Sequence, residues 1–141
     1  MDIVKLKVRG FHCDFQRHVN HTRYLEFMEE GTWDYWDHRP DLVRSLIKNK
    51  VDHSIVNLNI NYRRSARLGD ALRVETRLAR ARRNSIVFEQ KILMDQTGEL
   101  VTEAELTVVF YKAGTGENQS VDSDVFKDWA DLRTMLREGE D

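Results

Sequence analysis

From Ser54 onward, four successive segments have strand patterns, three of which alternate apolar with polar residues cleanly, and no helical pattern separates them. A repeat of two residues is typical of a strand that buries one face. The turns between the segments are short, and one of them carries Gly98, which can adopt a positive φ. Short turns favour antiparallel neighbours over crossover connections. The four segments are Ser54–Arg63, Ala71–Ala81, Ser85–Met94 and Glu99–Tyr111. The sequence therefore predicts a largely antiparallel sheet.

One further strand and one long helix precede these four strands. Residues Ile3–Phe11 also alternate apolar with basic side chains, which indicates a half-buried strand. Apolar residues then recur at helical spacing, with Asn20 as the predicted N-cap and an end near Arg39 and Pro40. The apolar stripe consists of Tyr24, Phe27, Met28, Gly31, Tyr35 and Trp36. This helix is the predicted main helix of the chain.

Shorter helices complete the predicted order of elements. One is predicted over 41–49 and another within about 120–138, where apolar residues again recur at helical spacing. A strand, a helix and then a run of strands predicts an α+β fold. With 141 residues, the chain is expected to form a single domain over 1–141, with its core at about 3–112.

The charge and the cysteine content exclude several classes of function. A net charge of −2 and a pI near 6.2 argue against nucleic acid or an anionic membrane surface as partners. No apolar run reaches the roughly 20 residues that a membrane span needs, so we expect no membrane insertion. A lone Cys13 and a start without a signal-peptide pattern indicate the cytoplasm.

The segment Cys13–His21 is the most unusual stretch of the sequence, because polar residues of many types follow one another there. Asp14 precedes the predicted helix, and a carboxylate in that position lies beside backbone amides that can stabilise an oxyanion. The alternative is a capping or solvated carboxylate. Together with the residue just before it, the segment also brings three histidines close in sequence, but no second cluster with ligand spacing accompanies them, so no metal site is expected. These histidines are His12, His18 and His21.

Two stretches of sequence carry a family resemblance. Val8–Glu30 contains a VRG strand end, an HVN loop and an RYLEF helix start, and Val56–Arg64 with Gly69 and Asp70 extends the match to roughly residues 4–112. These stretches resemble hot-dog acyl-CoA thioesterases of the 4-hydroxybenzoyl-CoA thioesterase type. Within that type they look most like bacterial long-chain acyl-CoA thioesterases linked to fatty-acid β-oxidation.

The resemblance implies a fold, a reaction and an assembly. The hot-dog fold wraps an antiparallel sheet around a long central helix. The implied reaction is hydrolysis of an acyl-CoA, with a long-chain fatty acyl group as the expected substrate, to the free acid and coenzyme A. No metal or organic cofactor is implied. The family also implies a homodimer or homotetramer, with active sites where the helix of one subunit meets its partner.

The resemblance further assigns roles around the polar segment. It implies that Asp14 is the catalytic carboxylate, either as nucleophile or as general base toward water. His21 is implied to orient that carboxylate or to protonate the leaving thiolate. Substrate-positioning and loop-shaping roles are implied for His18, Asn20, Thr22 and Tyr24. Tyr24 also belongs to the apolar stripe, for which a core role is favoured.

Glutamates on the main helix are a reserve for the catalytic role, because another branch of hot-dog thioesterases uses a glutamate there. Glu30 is the reserve candidate, although a solvated helix face is favoured for it and for Glu26 and Glu29. Arginines at predicted strand ends are candidates for gripping the phosphates of coenzyme A. They are Arg63, Arg64 and Arg67 in one cluster, and Arg82 and Arg83, with Arg80, in another. Alternatively, they keep strand edges and turns hydrated.

Two other functions stay open at this point. A thioesterase acting on acyl carrier protein would use the same arginines against an acidic partner. A non-catalytic acyl-CoA-binding module would keep the fold without turnover, although Asp14 and the intact loop that follows it argue against this. Dehydratase chemistry also occurs on this fold, but no histidine pattern of that branch is present.

Overall fold

The computed structural model describes residues 1–139 and contains five strands and three α-helices. The strands are β1 (Asp2–Lys7), β2 (Val51–Tyr62), β3 (Ala71–Ala81), β4 (Ile86–Met94) and β5 (Leu100–Lys112). The helices are α1 (Arg23–Asp37), α2 (Pro40–Lys48) and α3 (Ala130–Glu138). The predicted α+β class and the run of four strands after the helices are confirmed.

The five strands form one sheet in the order β1-β3-β4-β5-β2. Strand β1 pairs antiparallel with β3, and Val4 lies opposite Val74 in that pairing. The first strand therefore joins the four later ones, which the sequence alone did not specify. This order leaves β2, at 12 residues, as an edge strand.

Two element boundaries differ from the sequence-based predictions. Strand β1 ends at Lys7 and not at Phe11, because a 3₁₀ turn at Gly10–His12 takes the chain out of the extended conformation. The Val8 amide still donates to the Asp70 carbonyl at 2.9 Å. Helix α1 begins at Arg23, three residues beyond Asn20. Within residues 1–139, the helices are too short or too polar for a bilayer span.

The C-terminal helical region predicted at about 120–138 consists of two pieces. A 3₁₀ turn at Asp124–Phe126 begins where the Ser123 side chain accepts a hydrogen bond from the Val125 amide. Helix α3 follows at Ala130. A capped turn thus interrupts what the apolar spacing alone suggested as one helix.

The internal contacts divide the chain into two compact units. The first consists of Met1–Tyr35, Asn59–Arg77 and Glu89–Glu105. Inside it, Gly31 of α1 approaches the sheet so closely that a Cβ there would lie 2.8 Å from Thr76 Oγ1 and 2.8 Å from Val74 Cγ1. Gln90, which is fully buried, donates from its side-chain amide to the Met28 carbonyl at 2.9 Å and to Thr76 Oγ1 at 3.1 Å. A close backbone approach and a buried amide therefore fix the first part of α1 on the sheet.

The second unit consists of Trp36–Leu58, Leu78–Phe88 and the chain from Leu106 onward. Its core is an aromatic cluster with ring centroids between 4.8 and 6.3 Å apart, a spacing at which aromatic pairs attract. The cluster consists of Trp36, Phe88, Phe110, Phe126 and Trp129. Helix α2 joins the 3₁₀ turn in this unit, where Ser45 Oγ donates to the Val125 carbonyl at 2.6 Å.

Candidate active site

Asp14 lies in a tight loop that its own backbone closes. Its amide donates to the His18 carbonyl at 3.0 Å, and its carbonyl accepts from the Arg17 amide at 3.0 Å. Arg17 completes the turn with φ at +64°, in the left-handed region that side chains other than glycine seldom adopt. Cys13 and Val19 pair across the base of the loop as an isolated antiparallel bridge. The loop is therefore a defined structure and not only a polar connection.

The two oxygens of the Asp14 carboxylate have different surroundings. Oδ1 accepts a hydrogen bond from the Gln16 amide at 2.9 Å, which orients the side chain. Oδ2 has no hydrogen-bond partner within residues 1–139, and the residue is half-buried. One oxygen is thus fixed by the loop, and the other is available to a water molecule or a substrate.

Hydrogen bonds to the segment after β2 hold this loop in place. The Val19 amide donates to the Ala66 carbonyl at 2.9 Å, and the Ala66 amide donates to the Tyr24 hydroxyl at 3.0 Å. Tyr24 is only 3% exposed. Burial raises the pKa of its hydroxyl, while the bond from Ala66 opposes that rise. Tyr24 therefore combines the core role of the apolar stripe with a polar link beside the candidate site.

Asn20 accepts hydrogen bonds from two backbone amides at the start of α1. Its side-chain oxygen accepts from the Thr22 amide at 3.0 Å and from the Thr22 hydroxyl at 2.8 Å, and its carbonyl accepts from the Arg23 amide at 2.9 Å. The prediction that Asn20 is the N-cap of α1 is therefore wrong, because the helix begins at Arg23 and Asn20 forms a hydrogen-bonded turn just before it. Two of the amides expected to face a developing oxyanion already have acceptors within the chain. An oxyanion donor from this helix start must therefore be an amide other than those of Thr22 and Arg23.

His21 is exposed and lies against Tyr62 at the end of β2. The Tyr62 hydroxyl donates to the His21 carbonyl at 3.3 Å, and the two rings meet edge to face with centroids 6.4 Å apart. The described residues contain no hydrogen bond between His21 and Asp14. Tyr62 is a neighbour that sequence reasoning missed. Its place at the end of an alternating strand was visible, but its partner 41 positions earlier was not.

The basic residues at the end of β2 have different surroundings. Arg63 pairs with Glu103 at 2.6 Å, and Arg64 forms an ion pair with Glu99. The amides of both arginines donate to one carbonyl, that of Val101, a pattern typical of a bulge. Arg67 instead lines a cavity of about 340 Å³ beside the Asp14 loop, together with Gln16, Arg17, His18 and Leu68.

The remaining candidates are exposed. Glu30 lies on the solvent side of α1, as does Glu29, while Glu26 pairs with Arg23 at 2.8 Å. Arg82 and Arg83 belong to the second unit, where the Arg83 carbonyl accepts from the Val121 amide at 2.9 Å. The backbone at Arg83 therefore holds the C-terminal segment through a hydrogen bond from Val121.

His12 connects the chain before the Asp14 loop to the chain after it through hydrogen bonds. Its Nδ1 accepts from the Arg9 amide at 2.9 Å, and its carbonyl accepts from the Asn20 amide at 3.0 Å. Its ring meets Phe27 edge to face with centroids 4.9 Å apart. Burial is the main cause that lowers the pKa of His12, followed by the charge of Arg23. A neutral imidazole suits this position because Nδ1 must accept a hydrogen bond.

Residues 8–130 match the family described as the thioesterase-like superfamily. The chain belongs to this superfamily. Over 105 residues it is 38% identical to the long-chain acyl-CoA thioesterase FadM of Escherichia coli strain K12, covering 74% of this chain and 79% of that protein. Over 91 residues it is 30% identical to the acyl-CoA thioester hydrolase YbgC of Escherichia coli O6:H1, covering 64% and 67% respectively.

Solved structures agree with this membership of the thioesterase-like superfamily. The probable thioesterase YbaW from Escherichia coli superposes with a TM-score of 0.85 at 32% identity, covering 92% of this chain and 97% of that one. A 4-hydroxybenzoyl-CoA thioesterase variant in complex with 4-hydroxybenzoyl-CoA gives a TM-score of 0.77 at 18% identity, covering 90% and 96%, and shows the shared fold. The family and the hot-dog fold predicted from the sequence are thereby confirmed.

Proposed function

We propose that this chain hydrolyses acyl-CoA thioesters to the free acid and coenzyme A, with the Asp14 carboxylate as the activating group. The observation that carries the proposal is the Oδ2 atom of Asp14, which has no hydrogen-bond partner within residues 1–139 while Oδ1 is held by the Gln16 amide. Relatives named as acyl-CoA thioesterases support the reaction class.

Two routes use the Oδ2 atom. In one, it attacks the thioester carbonyl carbon, the C–S bond breaks to release the coenzyme A thiolate, and water then hydrolyses the acyl-enzyme anhydride. In the other, it takes a proton from a water molecule that attacks the same carbon directly. In both routes the thiolate must gain a proton, and His21 is the proposed donor.

A long-chain acyl group is the proposed substrate, because the name of the FadM relative specifies long-chain acyl-CoA. Assays over a series of acyl-CoA chain lengths test this choice directly. Turnover that is highest with short or aromatic acyl groups would contradict it. An acyl group on acyl carrier protein in place of coenzyme A is the alternative substrate to compare in the same assay.

The proposed role of Asp14 is tested with Asp14→Asn. Asparagine retains an oxygen for the Gln16 amide but cannot attack or take a proton, so turnover should fall by a factor of about 100 or more. Asp70→Asn is a matched control, since Asp70 Oδ2 accepts from the Arg67 amide at 2.8 Å in a similar half-buried turn. We expect the control to keep most of its activity. Comparable activity in the two variants would refute the role of Asp14 and make Glu30 the next candidate for the catalytic carboxylate.

The proposed active assembly is a homodimer or a homotetramer. Strand β2 lies at the sheet edge, and its exposed apolar residues include Val56, which is 58% exposed. Edge strands of this length tend to pair with another strand. Phe15, next to Asp14, is 95% exposed, and a partner subunit would cover it. Sedimentation that gives a monomer at micromolar concentration, with full activity, would contradict this assembly.

A cytoplasmic location is proposed from the single cysteine, Cys13.

A further inference from the structure

The cavity beside the Asp14 loop has a basic lining. Its volume is about 340 Å³, and Gln16, Arg17, His18, Arg67 and Leu68 surround it. Two arginines and a histidine therefore converge on one space, and no carboxylate from residues 1–139 lines it. The chain as a whole carries a net charge of −2, so this local excess of positive groups is not a consequence of overall composition.

The backbone around this cavity is already fixed before any ligand binds. His18 and Arg67 form an isolated antiparallel bridge, which holds two walls of the cavity against each other. The bond from the Val19 amide to the Ala66 carbonyl, at 2.9 Å, continues that connection. Arg17 reaches the cavity from a left-handed backbone conformation, an arrangement that is associated with functional loops.

The two guanidinium groups have no carboxylate partner within residues 1–139. Two acids lie nearby in the sequence, but Asp14 accepts from the Gln16 amide through Oδ1, and Asp70 accepts from the Arg67 amide and not from its side chain. By contrast, Arg63 and Arg64 are paired with glutamates. Arginines without an acid partner in a recess are suited to bind an anion, and their planar donor geometry matches a phosphate.

We propose that the Arg17–His18–Arg67 cavity binds a phosphate group of the thioester substrate and thereby selects phosphate-bearing thioesters over those that lack phosphate. The inference rests on the proposed thioesterase function and adds a subsite to it. Coenzyme A carries a pyrophosphate and a 3′-phosphate, and the prosthetic group of acyl carrier protein carries a phosphodiester, so both sources share the chemistry. Arg63 and Arg64 are secondary here because their charges are already compensated.

The test compares thioesters of one acyl group that carry different phosphates or none. Wild type, Arg17→Gln and Arg67→Gln are each assayed with four substrates that carry the same acyl group. These are acyl-CoA, acyl-dephospho-CoA, acyl carrier protein and the N-acetylcysteamine thioester. We expect the KM for acyl-CoA to rise about tenfold in each variant, with kcat near wild type. The N-acetylcysteamine thioester should be hydrolysed equally by all three proteins. Arg137→Gln, on exposed α3, is the control and should match wild type.

The source of the phosphate follows from the pattern among substrates. A loss confined to acyl-CoA and absent with its dephospho form assigns the 3′-phosphate, and a loss shared by both assigns the pyrophosphate. A loss with acyl carrier protein alone assigns its phosphodiester. The KM for acyl-CoA should also rise with added salt in wild type and rise less in the variants, since salt screens exposed charge pairs.

Two results would overturn the subsite. One is an unchanged KM for every phosphate-bearing substrate in both variants, and the other is an equal loss with the N-acetylcysteamine thioester. Calorimetric binding of coenzyme A itself separates this inference from the reaction. If wild type hydrolyses no thioester but binds coenzyme A at least tenfold more tightly than the variants, the proposed function fails and the phosphate site stands. Equal binding of coenzyme A by all three proteins, together with an unchanged KM for acyl carrier protein, removes the site.

Discussion

Replacing Gly31 with alanine should destabilise the protein, although alanine is the better helix former. A Cβ at this position would lie 2.8 Å from Val74 Cγ1, 2.8 Å from Thr76 Oγ1 and 3.1 Å from Gln90 Nε2. The first two atoms belong to β-branched side chains that have little freedom to rotate, so the helix or the sheet must move. An ordinary contact begins at 3.4 Å, which leaves the new atom about 0.6 Å too close.

The opposing free energies can be compared directly. Alanine gains about 1 kcal/mol over glycine in a helix interior. Overpacking a well-filled core typically costs about 1 to 3 kcal/mol. Displacing the Gln90 amide also threatens its bonds to Met28 and Thr76, and a buried group left without a partner costs about 1 to 3 kcal/mol. The net expectation for Gly31→Ala is a loss of about 1 to 5 kcal/mol in the free energy of unfolding.

Urea denaturation at one fixed protein concentration measures this loss. Gly10→Ala is the matched control, because a Cβ at Gly10 meets no atom within 4 Å and should change stability by less than about 0.5 kcal/mol. In a double-mutant cycle, Val74→Ala should recover part of the loss by opening space for the new methyl group. A Gly31→Ala protein as stable as wild type would refute the close approach of α1 to the sheet.

Two further predictions concern the support of the candidate loop. Tyr24→Phe leaves the buried Ala66 amide without its acceptor, so the free energy of unfolding in urea should fall by about 1 to 3 kcal/mol. Tyr62→Phe is the control, because it removes only an exposed bond of 3.3 Å, and it should lower the free energy of unfolding by less than about 0.5 kcal/mol. The folded pKa of His12 lies below its unfolded value of about 6.5, so its contribution is complete above pH 6.5 and is lost as the pH falls through the folded pKa. Stability measured between pH 7 and 5 should therefore fall less steeply in His12→Gln than in wild type, and parallel profiles would show that His12 is not responsible.

The arrangement of strands and helices was predictable because it depends on periodicity. Alternation in β2 through β5 and the apolar stripe of α1 are local signals, and each was read correctly to within a few residues. Element ends were less predictable, because distant partners set them. Strand β1 stops before the 3₁₀ turn at Gly10–His12, which the alternating pattern up to Phe11 did not show, and its last contacts are with Asp70, 62 positions beyond Val8 in the sequence. The pairing of β1 with β3 was equally hidden, since alternation shows which face is buried but not which neighbour lies beside it.

The candidate site shows the same division between local and distant information. Asp14 could be singled out from the sequence, because a carboxylate before a helix and the surrounding motif are both local. That only one of its oxygens is held by the loop could not be foreseen, since this depends on the turn that Arg17 closes in a left-handed conformation. The first amides of the helix were expected to donate to an oxyanion. Two of them already donate to Asn20, one to its side chain and one to its carbonyl, which the sequence could not show.

The arginines at the end of β2 depend most strongly on distant residues. Arg63, Arg64 and Arg67 look equivalent in the sequence, where each follows the same strand. Their partners separate them: Glu103 and Glu99 come from β5 and the turn before it, and they compensate the first two charges. The bulge pattern at Val101 turns the chain after Arg64, and Arg67 then meets His18 from the loop of Asp14. An arginine without an acid partner within residues 1–139 therefore lies beside the loop that carries Asp14, where its charge can attract an anionic substrate.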